Sequence, residues 1–431
     1  MDISTLYRYF TECGRVTTDT RDCPQGAMFI ALKGRRFDGN EFAASALEKG
    51  CRYAVVDDAS AAGRNPRILL VEDGLKALQE LANYHRKKVK TRIIAVTGTN
   101  GKTTTKELIA AVLGKQYRVL ATEGNQNNQI GVPLTLLRLT AERELAVIEM
   151  GANHPGDIAE LAKIAEPDYG LITNVGLAHL EGFGSFEGVL RAKGELYDYL
   201  RHAGAHTVFI DKDNEALTAI SHGLTRITYG TDDIDEPYIG GKLGACDPFL
   251  AFEWTHDKRV YAVRTQLVGG YNLKNALAAL AVGRFFGVPE SQLCEALEAY
   301  VPDNNRSQLM ETRRNHLILD AYNANPTSML SALENFCNMN VPCKMAIVGD
   351  MKELGASSGT EHRRMVDYLK TCGFEKVILV GEEFGKVKGD FEHYANVEAL
   401  KEVIRKSCPQ GKYILIKGSH SMRLVQLKEL L

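Results

Sequence analysis

The sequence predicts an α/β protein of three domains, with a central, mostly parallel doubly wound sheet built on a phosphate loop and a C-terminal Rossmann-like α/β domain. Three observations predict it. Short apolar runs alternate with helical patterns along most of the chain, the signature of parallel strands joined by crossover helices. A glycine-rich turn at residues 98–101 joins one such run to a helix. The length, 431 residues, exceeds what a single core ordinarily serves.

The expected domains are residues 1–88, 89–300 and 301–431. In the first, Met28-Phe29-Ile30-Ala31-Leu32 and Tyr53-Ala54-Val55-Val56 read as strands. Residues 41–49 read as a short helix with Phe42, Ala46 and Leu47 inward and Gly50 as its stop. Leu75, Leu78, Leu81 and Ala82 mark an amphipathic helix ending in Arg86-Lys87-Lys88, read as a solvated end favoured by the helix dipole. The second opens with the buried strand Ile93-Ile94-Ala95-Val96. A helix follows from Lys102 with Leu108, Ile109, Val112 and Leu113 inward. Further strands are expected at Ala146-Val147-Ile148, Gly170-Leu171-Ile172-Thr173 and Thr207-Val208-Phe209-Ile210. Residues 249–268 alternate around the polar turn Thr255-His256-Asp257-Lys258, which predicts an antiparallel hairpin at the sheet edge. The third repeats the alternation, with strands at Leu317-Ile318-Leu319, Met345-Ala346-Ile347-Val348, Val377-Ile378-Leu379-Val380 and Tyr413-Ile414-Leu415-Ile416, then a last helix.

Composition narrows the function classes. Hydrophobic residues make up 45% and charged residues 25%, and the net charge is −2. No bulk electrostatic attraction to nucleic acid follows from that balance. No apolar run approaches the roughly 20 residues that span a bilayer, and the first residues lack the pattern of a signal peptide. The nine cysteines are scattered without a C-x-x-C pair, which fits reduced thiols in a cytosol. A cytoplasmic, monomeric protein without membrane insertion is expected.

Residues Gly98, Thr99, Asn100, Gly101, Lys102, Thr103 and Thr104 follow the buried strand and open the helix. Glycines let the backbone approach phosphate oxygens, and the helix start supplies free N–H groups. Lys102 can neutralise outer phosphates and the Thr103 hydroxyl can bind Mg²⁺. The strict pattern G-x-x-x-x-G-K-[ST] is broken at its first position by Val96. Glu149 ends the next strand, at the sheet edge where ligands gather in open α/β folds. It suits Mg²⁺, or it is a solvent-facing acid. His179 lies in another such loop and reads as a metal ligand or a loop hydrogen-bonder. Lys193 falls on the apolar stripe of Phe186, Val189, Leu190, Leu196 and Tyr197. A buried ammonium there needs a partner or loses its charge; the other reading is a snorkelling side chain.

Together these residues resemble the Mur ligase family of cell-wall synthesis. The family pattern T-G-T-N-G-K-T-T matches residues 97–104. Its metal-binding Glu, loop His and carbamylated Lys match Glu149, His179 and Lys193. Its adenine-side asparagines match Asn272 and Asn275, its phosphate-contacting Arg matches Arg306, and its C-terminal-domain Asp matches Asp320. The branch that adds D-alanyl-D-alanine is the most similar. Thr20 and Arg21, with Lys33 and Gly34, resemble its UDP-sugar pocket. Asn125, Asn127 and Asn128 resemble its muramoyl-peptide loop. Tyr322, Asn323 and Asn325 lie in a stretch similar to D-S-Y-N-A-N-P, and Lys417 and Ser419 in one similar to K-G-S-R. The chain departs from those patterns at Tyr271, Leu319, Ala321 and His420.

The resemblance implies ATP and Mg²⁺ as cofactors, and UDP-N-acetylmuramoyl tripeptide and D-alanyl-D-alanine as substrates joined through an acyl phosphate. Lys102 and Arg306 would act on the phosphates. Thr103 and Glu149 would hold one Mg²⁺, and His179 with carbamylated Lys193 a second. The alternatives are another Mur-type or folylpolyglutamate-type acyl ligase, or a non-catalytic nucleotide-binding regulator.

Overall fold

A computed structural model describes residues 1–34, 37–231 and 238–431. Among these residues three sheets carry the fold. The first has four parallel strands in the order Val16–Thr17, Met28–Ile30, Tyr53–Val56, Ile68–Leu70. A separate short hairpin pairs Lys33–Gly34 with Phe37–Asp38. Phe42 ends a 3₁₀ turn and is 41% exposed. The helix proper is Ala43–Glu48, so its inward residues are Ala43, Ala46 and Leu47. Phe42 therefore does not point inward, because the α-helical period starts only after it. Leu75 is likewise outward, while Leu78, Leu81 and Ala82 are buried along the helix Gly74–Val89.

That helix docks the first segment on the second. Leu78 and Leu81 share one apolar cluster with Leu136, Ile158 and Leu161 of the middle segment. Its basic end is not simply solvated. Arg86 Nε donates to the Ala165 carbonyl at 3.0 Å, and its guanidinium pairs with Asp168 at 3.1 Å. The helix Asp157–Ala165 ends here, so the cation meets carbonyl oxygens left without intrahelical donors.

The middle sheet has nine strands. Its parallel part runs Val119–Ala121, Leu145–Glu149, Arg92–Thr97, Tyr169–Ile172, Thr207–Asp211, Thr225–Gly230. Ile239–Cys246 continues it in parallel, and Phe249–His256 and Arg259–Val268 follow antiparallel to the edge, as the alternation predicts. Strands Arg92–Thr97, Leu145–Glu149 and Tyr169–Ile172 are adjacent, so their carboxyl ends bring residues 98–101, Glu149 and Asn174 side by side.

The third sheet has six strands, ordered Gln308–Glu311, His316–Asp320, Tyr413–Lys417, Lys344–Gly349, Lys376–Val380, Glu392–Tyr394. The first pair is antiparallel and the rest are parallel. Apolar clusters cover both its faces. The expected last helix is instead two 3₁₀ stretches, His420–Met422 and Leu424–Glu429. Arg423 between them is left-handed, at φ 54°, which blocks a continuous α-helix.

Candidate active site

A cavity of about 550 Å³ opens where the middle and third segments face each other, within the ~300–1,000 Å³ usual for small-ligand sites. The middle segment lines it with Thr99, Asn100, Gly101, Lys102, Thr104, Asn125, Asn127, Asn128, Glu149, His179, Asn272 and Asn275. The third contributes Arg306, Asp320, Tyr322, Asn323, Asn325 and Lys417. Gly98, Thr103, Lys193 and Ser419 are not among the cavity's lining residues. Thr20, Arg21, Lys33 and Gly34 lie apart, on the first segment. There Arg21 pairs with Asp19 at 2.6 Å and Lys33 with Asp57 at 2.9 Å.

The phosphate loop is built by glycines. Gly98 has φ 143° and Gly101, the N-cap of the helix Lys102–Leu113, has φ 77°. A Cβ on Gly101 would lie 2.5 Å from Asn275 Oδ1, so glycine is required there for close approach as well as for conformation. The loop is tied to the next strand by Asn174. Its Oδ1 accepts from the Asn100 N–H at 2.9 Å, and its Nδ2 donates to the Asn100 carbonyl at 3.0 Å. Lys102 Nζ donates back to the Gly98 and Thr99 carbonyls at 2.7 and 3.0 Å. Burial lowers the Lys102 pKa to about 8; Glu149 acts to raise it and Arg306 to lower it.

The polar atoms left over are informative. Thr103 Oγ1 and Glu149 Oε2 are buried without a hydrogen-bond partner. Glu149 Oε1 accepts from Asn127 Nδ2 at 2.8 Å, which fixes the carboxylate with its other oxygen free. Buried oxygens are ordinarily satisfied, so this hydroxyl and carboxylate point to a ligand. One carboxylate and one hydroxyl beside a phosphate loop match the oxygen donors of Mg²⁺, which takes few protein ligands and completes its shell with phosphates and water. Among the described residues no three His, Cys, Asp or Glu side chains form a denser metal cage. The donor set thus fits Mg²⁺ on a nucleotide.

Lys193 is 2% exposed, so the snorkelling reading fails. Its Nζ sits 5.3 Å from the centre of the Phe183 ring. Burial brings its pKa down to about 7, helped by the charge of Lys102 and opposed by Asp157 and Glu195. His179 is left-handed at φ 51°, and its Nδ1 pairs with Glu353 of the third segment. That hydrogen bond holds the Glu353 carboxyl below its ordinary range.

On the facing side, the Arg306 guanidinium lies 3.7 Å from the centre of the Tyr322 ring, and its Nε is buried without a partner. Lys417 Nζ donates to Asp320 Oδ2 at 2.6 Å. Asn325 caps the helix Pro326–Asn338 through a capping box with Ser328. Its Nδ2 also donates to Asn100 Oδ1 at 2.8 Å, so one side chain starts a helix and touches the phosphate loop. Asn272 opens the helix Asn272–Phe285 after its N-cap Tyr271, and Asn272 Nδ2 donates to the Val268 carbonyl at 2.9 Å. Ser419 Oγ accepts from the Lys352 N–H at 2.9 Å.

Sequence reasoning missed Asn174, Asp157, Gln129 and Ser307, which also line the cavity. Asn174 was accessible by the same rule that found Glu149, since it follows a strand at its carboxyl end. Ser307 was not: it enters through a bond from Tyr271, 3.0 Å between hydroxyls.

A phosphate loop at the carboxyl edge of a parallel sheet, facing cations from a second α/β unit, defines a P-loop enzyme that acts on nucleotide phosphates between domains. Residues 13–86 match the family description "Mur ligase family, catalytic domain", 96–283 the "Mur ligase middle domain" and 305–420 "Mur ligase, glutamate ligase domain". The chain belongs to the Mur ligase family. It is 36% identical, over 96% of its length and 92% of the relative's, to UDP-N-acetylmuramoyl-tripeptide--D-alanyl-D-alanine ligase of Bacillus subtilis (strain 168). Its fold is similar to MurF from Acinetobacter baumannii, with TM-score 0.87 and 29% identity over 99% and 97% of the two chains. MurF ligase from Thermotoga maritima, solved in complex with ADP, is similar at TM-score 0.84 and 27% identity over 96% of each.

Proposed function

We infer that this chain joins D-alanyl-D-alanine to UDP-N-acetylmuramoyl tripeptide at the expense of ATP, supplying a peptidoglycan precursor. The observation that carries this is the single cavity into which the phosphate loop and Arg306, Asp320 and Lys417 converge, in a chain that matches the dipeptide-adding relatives along nearly its whole length.

A carboxylate and an ammonium do not condense at neutral pH, because each is in its unreactive ion. In the proposed reaction a terminal carboxylate oxygen bonds to the γ-phosphorus and ADP leaves. The dipeptide's free amine then bonds to the acyl carbon, phosphate departs, and one amine proton is lost. The first step brings anion against anion, so the protein's task is to hold charge in place. The N–H groups of residues 98–102 cradle the phosphates, and Lys102 exchanges its loop carbonyls for phosphate oxygens. Arg306, stacked on Tyr322 and lining the same cavity, would bring its charge to those phosphates. Thr103 Oγ1 and Glu149 Oε2 would hold Mg²⁺, with His179 and carbamylated Lys193 holding a second ion. Bound there, Mg²⁺ supplies positive charge that lowers the repulsion between the phosphates and the incoming carboxylate. Asn272 and Asn275 stand at the adenine side. Thr20, Arg21, Lys33 and Gly34 take the UDP-sugar, Asn125, Asn127 and Asn128 the muramoyl peptide, and Tyr322, Asn323, Asn325, Lys417 and Ser419 the dipeptide side. Nine free cysteines support work in a reducing cytoplasm.

The test is phosphate release measured against a panel of UDP-muramoyl peptides and dipeptides. Release that requires both the acid and D-alanyl-D-alanine is expected. Release with a folate-like acid would favour the folylpolyglutamate-type reading. Release that needs neither substrate would remove the ligase assignment.

A further inference from the structure

One contact between the middle and third segments has no part in the steps above. Glu353 lies in the turn after the strand Lys344–Gly349, and its carboxylate accepts from Nδ1 of His179. Both residues are left-handed, at φ 51° for His179 and 64° for Glu353. A side chain with a Cβ enters that region only where surroundings hold it. The two turns are adjacent beyond this pair. A Cβ on Gly355 would lie 4.0 Å from Cγ of Glu181, two residues after His179. Asn325 reaches Asn100 nearby, at 2.8 Å.

An imidazole presents two nitrogens with different tasks. A carboxylate that takes the Nδ1 hydrogen fixes the tautomer, leaving the Nε2 lone pair available to a cation. Carboxylates behind metal-binding histidines act in this way and raise the ligand's basicity. His179 lines the cavity, whereas Glu353 is not among its lining residues. We propose that Glu353 is a positioning residue supplied across the domain interface: it orients His179 towards a divalent cation, so that this part of the metal site is complete only when the third segment is docked. The proposal rests on the reading of His179 as a metal ligand. Linkage makes the effect reciprocal. Docking of the third segment tightens the cation, and the cation favours docking.

The experiment uses Mn²⁺ as the probe, titrated by electron paramagnetic resonance into the full-length protein in bicarbonate buffer with a non-hydrolysable ATP analogue. The variants are Glu353→Ala, Glu353→Gln, His179→Ala and the double alanine. Scattering reports compaction, and thermal denaturation reports folding. For Glu353→Ala, Mn²⁺ affinity at one site is expected to fall roughly 10–100-fold, with less compaction on Mn²⁺ addition. Glu353→Gln, which keeps an acceptor without the charge, is expected in between and guards against a folding failure of the alanine variant. The double variant is expected to bind no more weakly than His179→Ala alone. If His179→Ala weakens Mn²⁺ and neither Glu353 variant does, or if the two losses add, the role of Glu353 is overturned while the histidine reading stands. If His179→Ala binds Mn²⁺ like the unaltered protein, the histidine reading fails and this proposal fails with it.

Discussion

At the scale of single residues, two lysines are proposed to serve the chemistry in opposite ways. Lys102 keeps its charge for phosphate, and its ammonium waits on the Gly98 and Thr99 carbonyls. Lys102→Ala is expected to lower turnover by roughly 10²–10³-fold, the scale for loss of one preorganised charge-stabilising donor. Calorimetry should find UDP-tripeptide binding within about twofold of the unaltered protein, because the proposed UDP side lies on the first segment. Equal loss of both would argue against separate sites. Lys193 is suited to lose its charge. A neutral amine can attack CO₂, forming an N–C bond and releasing a proton, and the carbamate offers the hard oxygens Mg²⁺ prefers. Isotope-labelled CO₂ is expected to give a carbamate resonance that Lys193→Ala lacks. Lys193→Arg should be inactive, and a small added carboxylate should partly restore the alanine variant. A plain ammonium in a high-resolution map of active enzyme would refute carbamylation.

The same lysine gives a pH signature. Its folded pKa, about 7, lies below the ordinary lysine value of 10.5. Between those values the unfolded chain binds the extra proton and the native state does not, so stability rises with pH across that window. The burden is therefore present near neutrality and relieved as pH climbs towards 10.5. In CO₂-free buffer, the stability of the unaltered protein, read by denaturation, should gain on that of Lys193→Met by up to about 1.4 kcal/mol per pH unit between pH 7 and 9. A flat difference would show that Lys193 ionises normally.

At the scale of elements, the phosphate loop depends on fit against its neighbouring strand. A Cβ on Gly98 would press on Thr173 Oγ1 and lie 3.0 Å from the Thr173 N–H nitrogen, which is backbone and cannot yield. Thr173 Oγ1 also donates to the Asn100 carbonyl at 2.6 Å, so any shift passes into the loop. Gly98→Ala is expected to destabilise by about 1–3 kcal/mol and to abolish binding of an ATP analogue. Denaturation and calorimetry on the same variant check both; unchanged nucleotide binding would mean the loop tolerates displacement.

At the scale of the whole molecule, the two interfaces differ in kind. The first and middle segments share one continuous apolar cluster. The third shares Val268 of the middle segment in its own apolar cluster and otherwise meets it through polar pairs such as Asn325 with Asn100 and the Gly270 N–H with Asn335 at 3.1 Å. Large apolar interfaces resist motion, while small polar ones permit it. The link before Arg306 contains Asn305 at φ 57°. Residues 1–300 are therefore expected to move as one body and the third segment to close over ligands, excluding water from the acyl phosphate. Scattering with an ATP analogue and both substrates should show compaction. Hydrogen exchange should change at residues 301–305 and not along the helix Gly74–Val89. No compaction, or exchange changes centred on that helix, would count against this division.

What the sequence by itself determined is local. Strands and helices follow from apolar periodicity, which reflects backbone geometry over a few residues. The phosphate loop follows from glycines set between a strand and a helix. Expectation and structure part at several places: the helix Ile3–Cys13, which buries Leu6 and Phe10, is not among the expected elements. Phe42 faced outward, and the last helix became 3₁₀ turns. Only the tertiary structure decided that Lys193 is sealed from water, that Arg86 clamps the first segment, and that Glu353 meets His179. Asn325 and Asn100 are 225 positions apart. Periodicity sets which way a side chain faces on its own element. What it faces depends on how separate cores dock, through contacts that leave no trace in local spacing.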